Sequence, residues 1–177
     1  MRLFKEKVLF TKDECDSIIN QHLPFTRDFT NKGCSYSSIR IDKTDNRWIL
    51  DRIIKWIEDE VTCNIDWDNN TLLDEVYFQS YKVGDKFGRH DDNVYNRVYT
   101  AGLLLNDGFT GGEFIVDVSS DKRKVFESKI GNCYVIESML KHEVTEITEG
   151  CRNVVIVFFK DSQIKFAEAL SELPKLI

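Results

Sequence analysis

The chain has 177 residues, 42% hydrophobic and 31% charged, a balance that reads as a soluble protein of one domain over 1–177 and excludes a low-complexity one. Lysine and arginine number 24 against 30 acidic residues, a net charge of −6, so the surface as a whole does not attract polyanions and nucleic acid is a disfavoured partner. The five cysteines (Cys15, Cys34, Cys63, Cys133 and Cys151) are odd in number and form no Cys-x-x-Cys pair, which argues against a disulfide framework or a zinc knuckle and for reduced, buried thiols. With no apolar leader in MRLFKEKVLF and no apolar run of the roughly 18 residues that a membrane span needs, a cytoplasmic location without a membrane partner is expected.

Residues 1–10 predict a short strand within LFKEKVLF. Thr11 and Glu14 have the spacing of a capping box, so a helix is expected from there to about Gln21, with Pro24 marking its end and His22 on the surface. Residues 25–47 read as polar and irregular, with a short strand at 37–41. Trp48, Ile49, Ile53, Trp56, Ile57 and Val61 then recur at helical spacing, opposite Asp51, Arg52, Lys55, Glu58 and Asp59. That pattern predicts a helix over 45–62 packed on a sheet, with Trp48, Trp56 and Trp67 as packing residues.

From Leu72 the texture changes to short β-rich runs: LLDEVYFQSYKV, NRVYTAGLLLN, GEFIVDV, NCYVIES, KHEVTEI and CRNVVIVFFK. Gly84, Asn106-Asp107-Gly108, Gly111-Gly112, Gly131 and Gly150 punctuate them. Strands at this spacing predict an antiparallel sandwich or barrel with helices against it, an α+β class that is mainly β. A last amphipathic helix is expected at about 163–174, with Phe166, Leu170 and Leu173 as its apolar side.

Beyond His22 the chain has two histidines, and both fall in this β-rich part. In GRHDDN, His90 and Asp92 are two apart, so on an extended segment they share a face, which Asp91 does not. His142 follows 52 residues later on another predicted strand. Two imidazoles and one carboxylate make a facial set that suits Fe(II) and leaves coordination sites open. A His-x-Asp tripeptide alone is a weak signal; its surroundings strengthen it.

The succession QSYKVGDKFGRHDDN, RVYTAGLLLND, GGEF and KHEVTEITEGCRNVVIVFF resembles the prolyl 4-hydroxylase-like branch of the 2-oxoglutarate/Fe(II) oxygenases. Tyr81 and Gly84 match that family's Tyr-x-x-Gly. Arg97, Thr100, Leu105 and Asn106 match its Arg-x-x-Thr strand ending in Leu-Asn. Gly111-Gly112 match its turn, and Arg152 its basic residue ten positions after the distal histidine. The likeness covers about 72–160, and VLFTKDECDSII and SSIRI also look like the family's opening helix and strand.

The resemblance implies a double-stranded β-helix (jelly-roll) core over about 72–160, with N-terminal helical support over about 1–70. It implies Fe(II), 2-oxoglutarate and O2, with ascorbate as an accompanying reductant. His90, Asp92 and His142 would hold the iron. Arg152 would pair with the distal carboxylate of 2-oxoglutarate, for which a planar guanidinium is suited. Tyr81 would donate its hydroxyl to the cosubstrate, and Thr100 would line the same pocket. Leu104 stands where relatives often carry a tyrosine that helps hold that carboxylate, a departure that touches cosubstrate binding. Arg97 is read either as structural or as facing the substrate.

By that resemblance the substrate is a prolyl or other residue in a protein or peptide. Oxidative demethylation of nucleic acid is a rival reading. Arg152-Asn153-Val154-Val155-Ile156-Val157-Phe158 lacks the second arginine of such enzymes. A small metabolite, a zinc hydrolase using the same three ligands and a catalytically silent jelly-roll are the other rivals.

Strand parity adds geometric conditions. Tyr77, Gln79 and Tyr81 share the face expected to line the pocket, while Val76 and Phe78 share the face expected to meet the helices. Thr100 and Leu104 share a face as well. His142 and Arg152 are expected to point inward from neighbouring strands, joined by a three-residue loop or bulge near Gly150 instead of a two-residue turn.

Overall fold

In the computed structural model, residues 4–31, 33–61 and 71–161 are described; the expected helix at 163–174, Cys63 and Trp67 lie outside them. The fold is mainly β. In chain order it comprises β1 (Phe4–Val8), α1 (Lys12–His22), β2 (Arg27–Asn31), β3 (Cys34–Arg40) and α2 (Arg47–Trp56). There follow β4 (Thr71–Lys82), β5 (Lys86–His90), β6 (Arg97–Leu104), β7 (Thr110–Gly111), β8 (Phe114–Asp117) and β9 (Arg123–Val125). The last are β10 (Asn132–Glu137), β11 (His142–Val144), β12 (Ile147–Glu149) and β13 (Cys151–Asp161).

One antiparallel sheet curls on itself into two layers. The broad layer runs β1-β10-β6-β13-β4-β3, with β2 on the outer side of β3; the narrow layer runs β5-β11-β8-β9. Strand β3 joins them, pairing with β4 through Ser37–Arg40 and with β5 through Cys34 and Ser35. This is the double-stranded β-helix expected from the sequence, although β1 and β3, from the N-terminal part, are built into its sheet.

Period-two alternation along the central strands sorts side chains into two cores. Val76 and Phe78 of β4, Leu103 of β6 and Val155, Val157 and Phe159 of β13 meet Ile18 of α1 and Ile49, Ile53 and Trp56 of α2. Tyr81 of β4, Tyr134 and Ile136 of β10 and Val154, Ile156 and Phe158 of β13 instead face the jelly-roll interior, with Phe114 and Val116 of β8. Each such apolar side chain contributes on the order of 1.5–3 kcal/mol of burial. Helix α1 starts as expected: the Glu14 amide bonds to the Thr11 hydroxyl and the Thr11 amide donates to the Glu14 carboxylate at 2.9 Å. No described helix is long and apolar enough to cross a membrane.

Four local expectations change. Residues 27–31, read as irregular, form β2, which pairs with β3 throughout. All five of its residues are exposed, so no burial pattern marked the strand. His22 is buried, not on the surface, because its Nε2 sits 3.0 Å from Oδ1 of Asn46, at the start of α2. Trp48 is 40% exposed, lying edge-on to Phe10 beneath the Arg52 guanidinium, while Leu50 takes the core. Cys15 and Cys133 are buried as expected, but Cys151, at the start of β13, is exposed.

The segment around Gly150 is not a hairpin of either form. β11 lies in the narrow layer beside β5 and β8, β13 in the broad layer between β4 and β6, and β12 pairs with β7. Gly150, at φ 71°, turns the chain between layers, and a Cβ there would lie 2.7 Å from the carbonyl oxygen of Gly108. His142 and Arg152 therefore face one interior from opposite layers, not from neighbouring strands. A ten-residue spacing is compatible with either route, and only the pairing of β12 with β7 separates them.

Candidate metal centre and its groove

His90 ends β5, His142 opens β11, and the two are direct partners across these strands. Phe87 stacks on the His90 ring at 3.8 Å between centroids. Each imidazole is held by its other nitrogen: Nδ1 of His90 is 2.8 Å from the Gly88 carbonyl oxygen, and Nδ1 of His142 is 2.9 Å from that of Leu140. A carbonyl can only accept, so both Nδ1 atoms carry the proton and both Nε2 lone pairs point to a common centre.

Asp92 completes that centre. Its amide donates to the Ser138 carbonyl at 2.8 Å, which fixes the loop after β5. Its Oδ2 accepts the Thr100 hydroxyl at 2.9 Å, and Thr100 Oγ1 lies 3.0 Å from the hydroxyl of Ser138. The carboxylate then meets His90 Nε2 at 3.5 Å and His142 Nε2 at 3.3 Å, and the three ligand atoms lie within 4.8 Å of one another. Asp91 turns away to pair with Lys141.

Burial opposes the charge on Asp92, but hydrogen bonds and fields from His142 and His90 outweigh it and hold the carboxyl well below its usual range. Burial likewise opposes the charge on His142, and Asp92 overcomes it, raising the pKa. A buried, ionised carboxylate facing two imidazoles is a site for a divalent cation.

The other sequence-derived residues lie nearby. Arg152 is 3% exposed, with its Cζ 5.5 Å from the centroid of the Tyr81 ring. Among the described residues no carboxylate lies within 4 Å of Arg152. The hydroxyl of Tyr81 donates to Gln79 Oε1 at 3.0 Å. Leu104 is buried and lines a small cavity together with Gly112, Phe114, Tyr134 and Arg152.

Sequence reasoning missed Tyr134. Its ring lies across Gly102, its direct partner on β6, where a Cβ would come within 2.1 Å of Cζ. The signal was present in RVYTAGLLL: a glycine inside a strand marks a close approach. Tyr134 brings a hydroxyl to the Arg152 guanidinium, the chemistry that Leu104 lacks. Burial raises the phenols of Tyr81 and Tyr134 well above their usual pKa, so both remain donors.

A groove of about 500 Å3 reaches Asp92 from the surface, walled by Tyr36, Tyr77, Phe87 and Phe158. Arg97 lines it but is bound to Asp74 at 3.1 Å and Glu75 at 2.6 Å, with its guanidinium 3.8 Å from the Phe158 ring centroid.

Residues 76–160 match the family pattern of the 2OG-Fe(II) oxygenase superfamily. The match takes in just under half of the chain. Its similarity to a PKHD-type hydroxylase of Rippkaea orientalis (strain PCC 8801 / RF-1) is 25% identity over 138 residues, 68% of this chain and 58% of that protein. The chain thus spans somewhat over half the length of that curated relative.

Two solved structures share the fold. A Pseudomonas putida prolyl-4-hydroxylase superposes with a TM-score of 0.71 at 16% identity, over 91% of this chain and 94% of that one. A Trichoplax adhaerens prolyl hydroxylase, in complex with a peptide fragment of the hypoxia inducible factor oxygen degradation domain, has a TM-score of 0.73 at 16% identity, over 96% and 87%. The 2OG-Fe(II) oxygenase pattern over 76–160 implies Fe(II), 2-oxoglutarate and O2, and the donor set of two Nε2 lone pairs and one ionised carboxylate fits the metal.

Proposed function

We propose that the protein is an Fe(II)- and 2-oxoglutarate-dependent dioxygenase that hydroxylates a prolyl or other residue of a protein or peptide. The observation that carries this reading is the pairing of two incomplete sites in one interior. His90, Asp92 and His142 offer three ligand atoms to a cation. Across the same interior, the buried Arg152 has no carboxylate within 4 Å among the described residues. A buried guanidinium without a carboxylate asks for an anion. A dicarboxylate reaching from the metal centre to Arg152 would satisfy both.

In this reading His90, Asp92 and His142 hold the iron, with their Nδ1 carbonyl contacts and the Thr100–Ser138 hydroxyls fixing their directions. Bound iron would supply the redox chemistry by which O2 gives one oxygen atom to the oxidative decarboxylation of 2-oxoglutarate, to succinate and CO2, and the other to hydroxylation of the substrate. Arg152 would pair with the distal carboxylate, for which its planar fork is suited. Tyr134 adds a hydroxyl donor where Leu104 offers none, and Tyr81 forms the wall beside it. Leu104 and Phe114 keep that end dry, which strengthens the charge pairing. The aromatic walls of the groove lead the substrate to the Asp92 end. A peptide substrate is supported by the fold shared with the prolyl hydroxylases, one of them solved with a peptide.

The test is direct. Purified protein with Fe(II), ascorbate and 2-oxoglutarate makes succinate, and His142→Ala does not. Absence of 2-oxoglutarate binding by the wild type in an anaerobic titration would end this reading.

A further inference from the structure

The groove over Asp92 carries a charge pattern that catalysis does not use. Three arginines line it (Arg27, Arg40 and Arg97) in a chain whose net charge is −6. Arg97 is committed to Asp74 and Glu75. Of the two acidic residues in the lining, Asp92 belongs to the metal centre. Asp28 accepts the Ser37 hydroxyl at 2.6 Å and lies 3.7 Å from Lys82 Nζ.

The register shows that Arg27 and Arg40 act on one spot. Arg27 pairs with Ser38 across β2 and β3, Ser38 pairs with Gln79 of β4, and Arg40 pairs with Tyr77. Directly paired residues share a face, as do residues two apart, so Arg27, Ser38 and Arg40 share the face of Tyr77 and Gln79. The intervening Asp28 and Ser37 share the opposite one. Arg27 and Arg40 are diagonal neighbours on this face, about 7–8 Å apart at Cα, within joint reach of one anion.

Neither guanidinium is fully used. Arg27 has no carboxylate within 4 Å among the described residues. Arg40 lies 3.3 Å from Glu75, which already accepts from Arg97 at 2.6 Å and from the Tyr77 hydroxyl at 3.2 Å. That contact is the longest of the three, and the Arg40 side chain is 61% exposed. The remaining walls are largely aromatic, so the groove presents one compact cationic spot and not a track for a polyanion.

We propose that Arg27 and Arg40 form a substrate subsite that reads a carboxylate, so that the substrate presents an acidic group a short way from the atom held at Asp92. This rests on the dioxygenase reading and specifies its substrate. The carboxylate comes either from an Asp or Glu side chain flanking the target residue or from the carboxyl group of a free amino acid.

The test uses the Mn(II)- and 2-oxoglutarate-loaded full chain, in which binding is read without turnover. Fluorescein-labelled prolyl peptides with blocked ends carry Asp, Ala or Lys at the positions flanking the proline, and binding is followed by anisotropy at low salt. The Asp peptide is expected to bind about tenfold more tightly than the Lys peptide, the scale of two partly exposed ion pairs. In the Arg27→Glu/Arg40→Glu protein the order inverts, an outcome that misfolding cannot produce. Displacement of the Asp peptide by free proline, but not by proline amide, would assign the subsite to an amino-acid carboxyl; displacement by neither assigns it to acidic side chains.

Equal binding of the three peptides, an unchanged order in the reversed variant, or stronger competition by a DNA or RNA oligonucleotide than by the unlabelled Asp peptide would each overturn the proposal. So would a wild type that makes succinate yet binds none of the peptides. A wild type that makes no succinate counts instead against the dioxygenase reading, while the anisotropy arms still judge the subsite.

Discussion

Arg152→Met tests the site most sharply, because methionine keeps much of the stem's bulk and removes only the charged fork. In the wild type Arg152 is 3% exposed, and among the described residues no carboxylate lies within 4 Å of it. Its removal leaves the distal carboxylate of 2-oxoglutarate buried and unpaired, a cost of about 3 kcal/mol or more. That is a loss of at least about 100-fold in affinity. Ligand-free stability moves the other way: a buried charge without an ionic partner disappears, so the melting temperature is unchanged or rises.

Both effects are read in one thermal-shift series on Mn(II)-loaded protein. At 2-oxoglutarate 100 times the wild-type Kd, linkage stabilises the wild type by about 2.7 kcal/mol, whereas a variant weakened 100-fold gains only about 0.4 kcal/mol. For a chain of this size these correspond to shifts of about 5–10 °C and about 1 °C. An equal shift in both proteins would refute the assignment of Arg152. A fall of several degrees in the ligand-free variant would refute the inference that its charge awaits a ligand.

Thr100→Val keeps the shape and removes the hydroxyl that bonds Asp92 at 2.9 Å and meets Ser138 at 3.0 Å. Metal affinity, followed by Co(II) absorption under anaerobic conditions, is expected to fall about 10- to 100-fold; an unchanged titration would reduce Thr100 to a packing residue. Stability also carries an acid signature at the first helix. The Arg52 guanidinium, then the Thr11 amide, lower the Glu14 pKa from 4.5 to about 2. Glu14 thus stays ionised in the folded chain where the unfolded chain already protonates it. Its stabilisation is complete above about pH 4.5, declines as pH falls and is lost below about 2. Urea midpoints between pH 6 and pH 2.5 should show that decline in the wild type and a flatter one in Glu14→Gln.

Much of this was legible from residues in order. The capping box at Thr11 and Glu14 acts through atoms three residues apart, so local spacing suffices. The alternation Val76/Phe78 against Tyr77/Gln79/Tyr81 assigns faces because a strand has period two, whatever it packs on. His90 and Asp92 share a face for the same reason, and Asp91, on the other face, pairs with Lys141. Strand β2 escaped notice because its five residues are all exposed and leave no pattern to read. His22 escaped because Asn46, 24 residues on, pulls it inward.

Composition, periodicity and spacing sufficed for a mainly β chain and for the three candidate ligands, since each depends on positions along the strand or helix; Arg152 was named only by the resemblance to a known family. The route by which His142 and Arg152 meet depended on β12 leaving the expected hairpin to pair with β7, and spacing does not distinguish those partners. The same holds for Tyr134 over Gly102 and for Arg27 beside Arg40. These are contacts between strands far apart in the chain, and the register that creates them exists only once the sheet has closed.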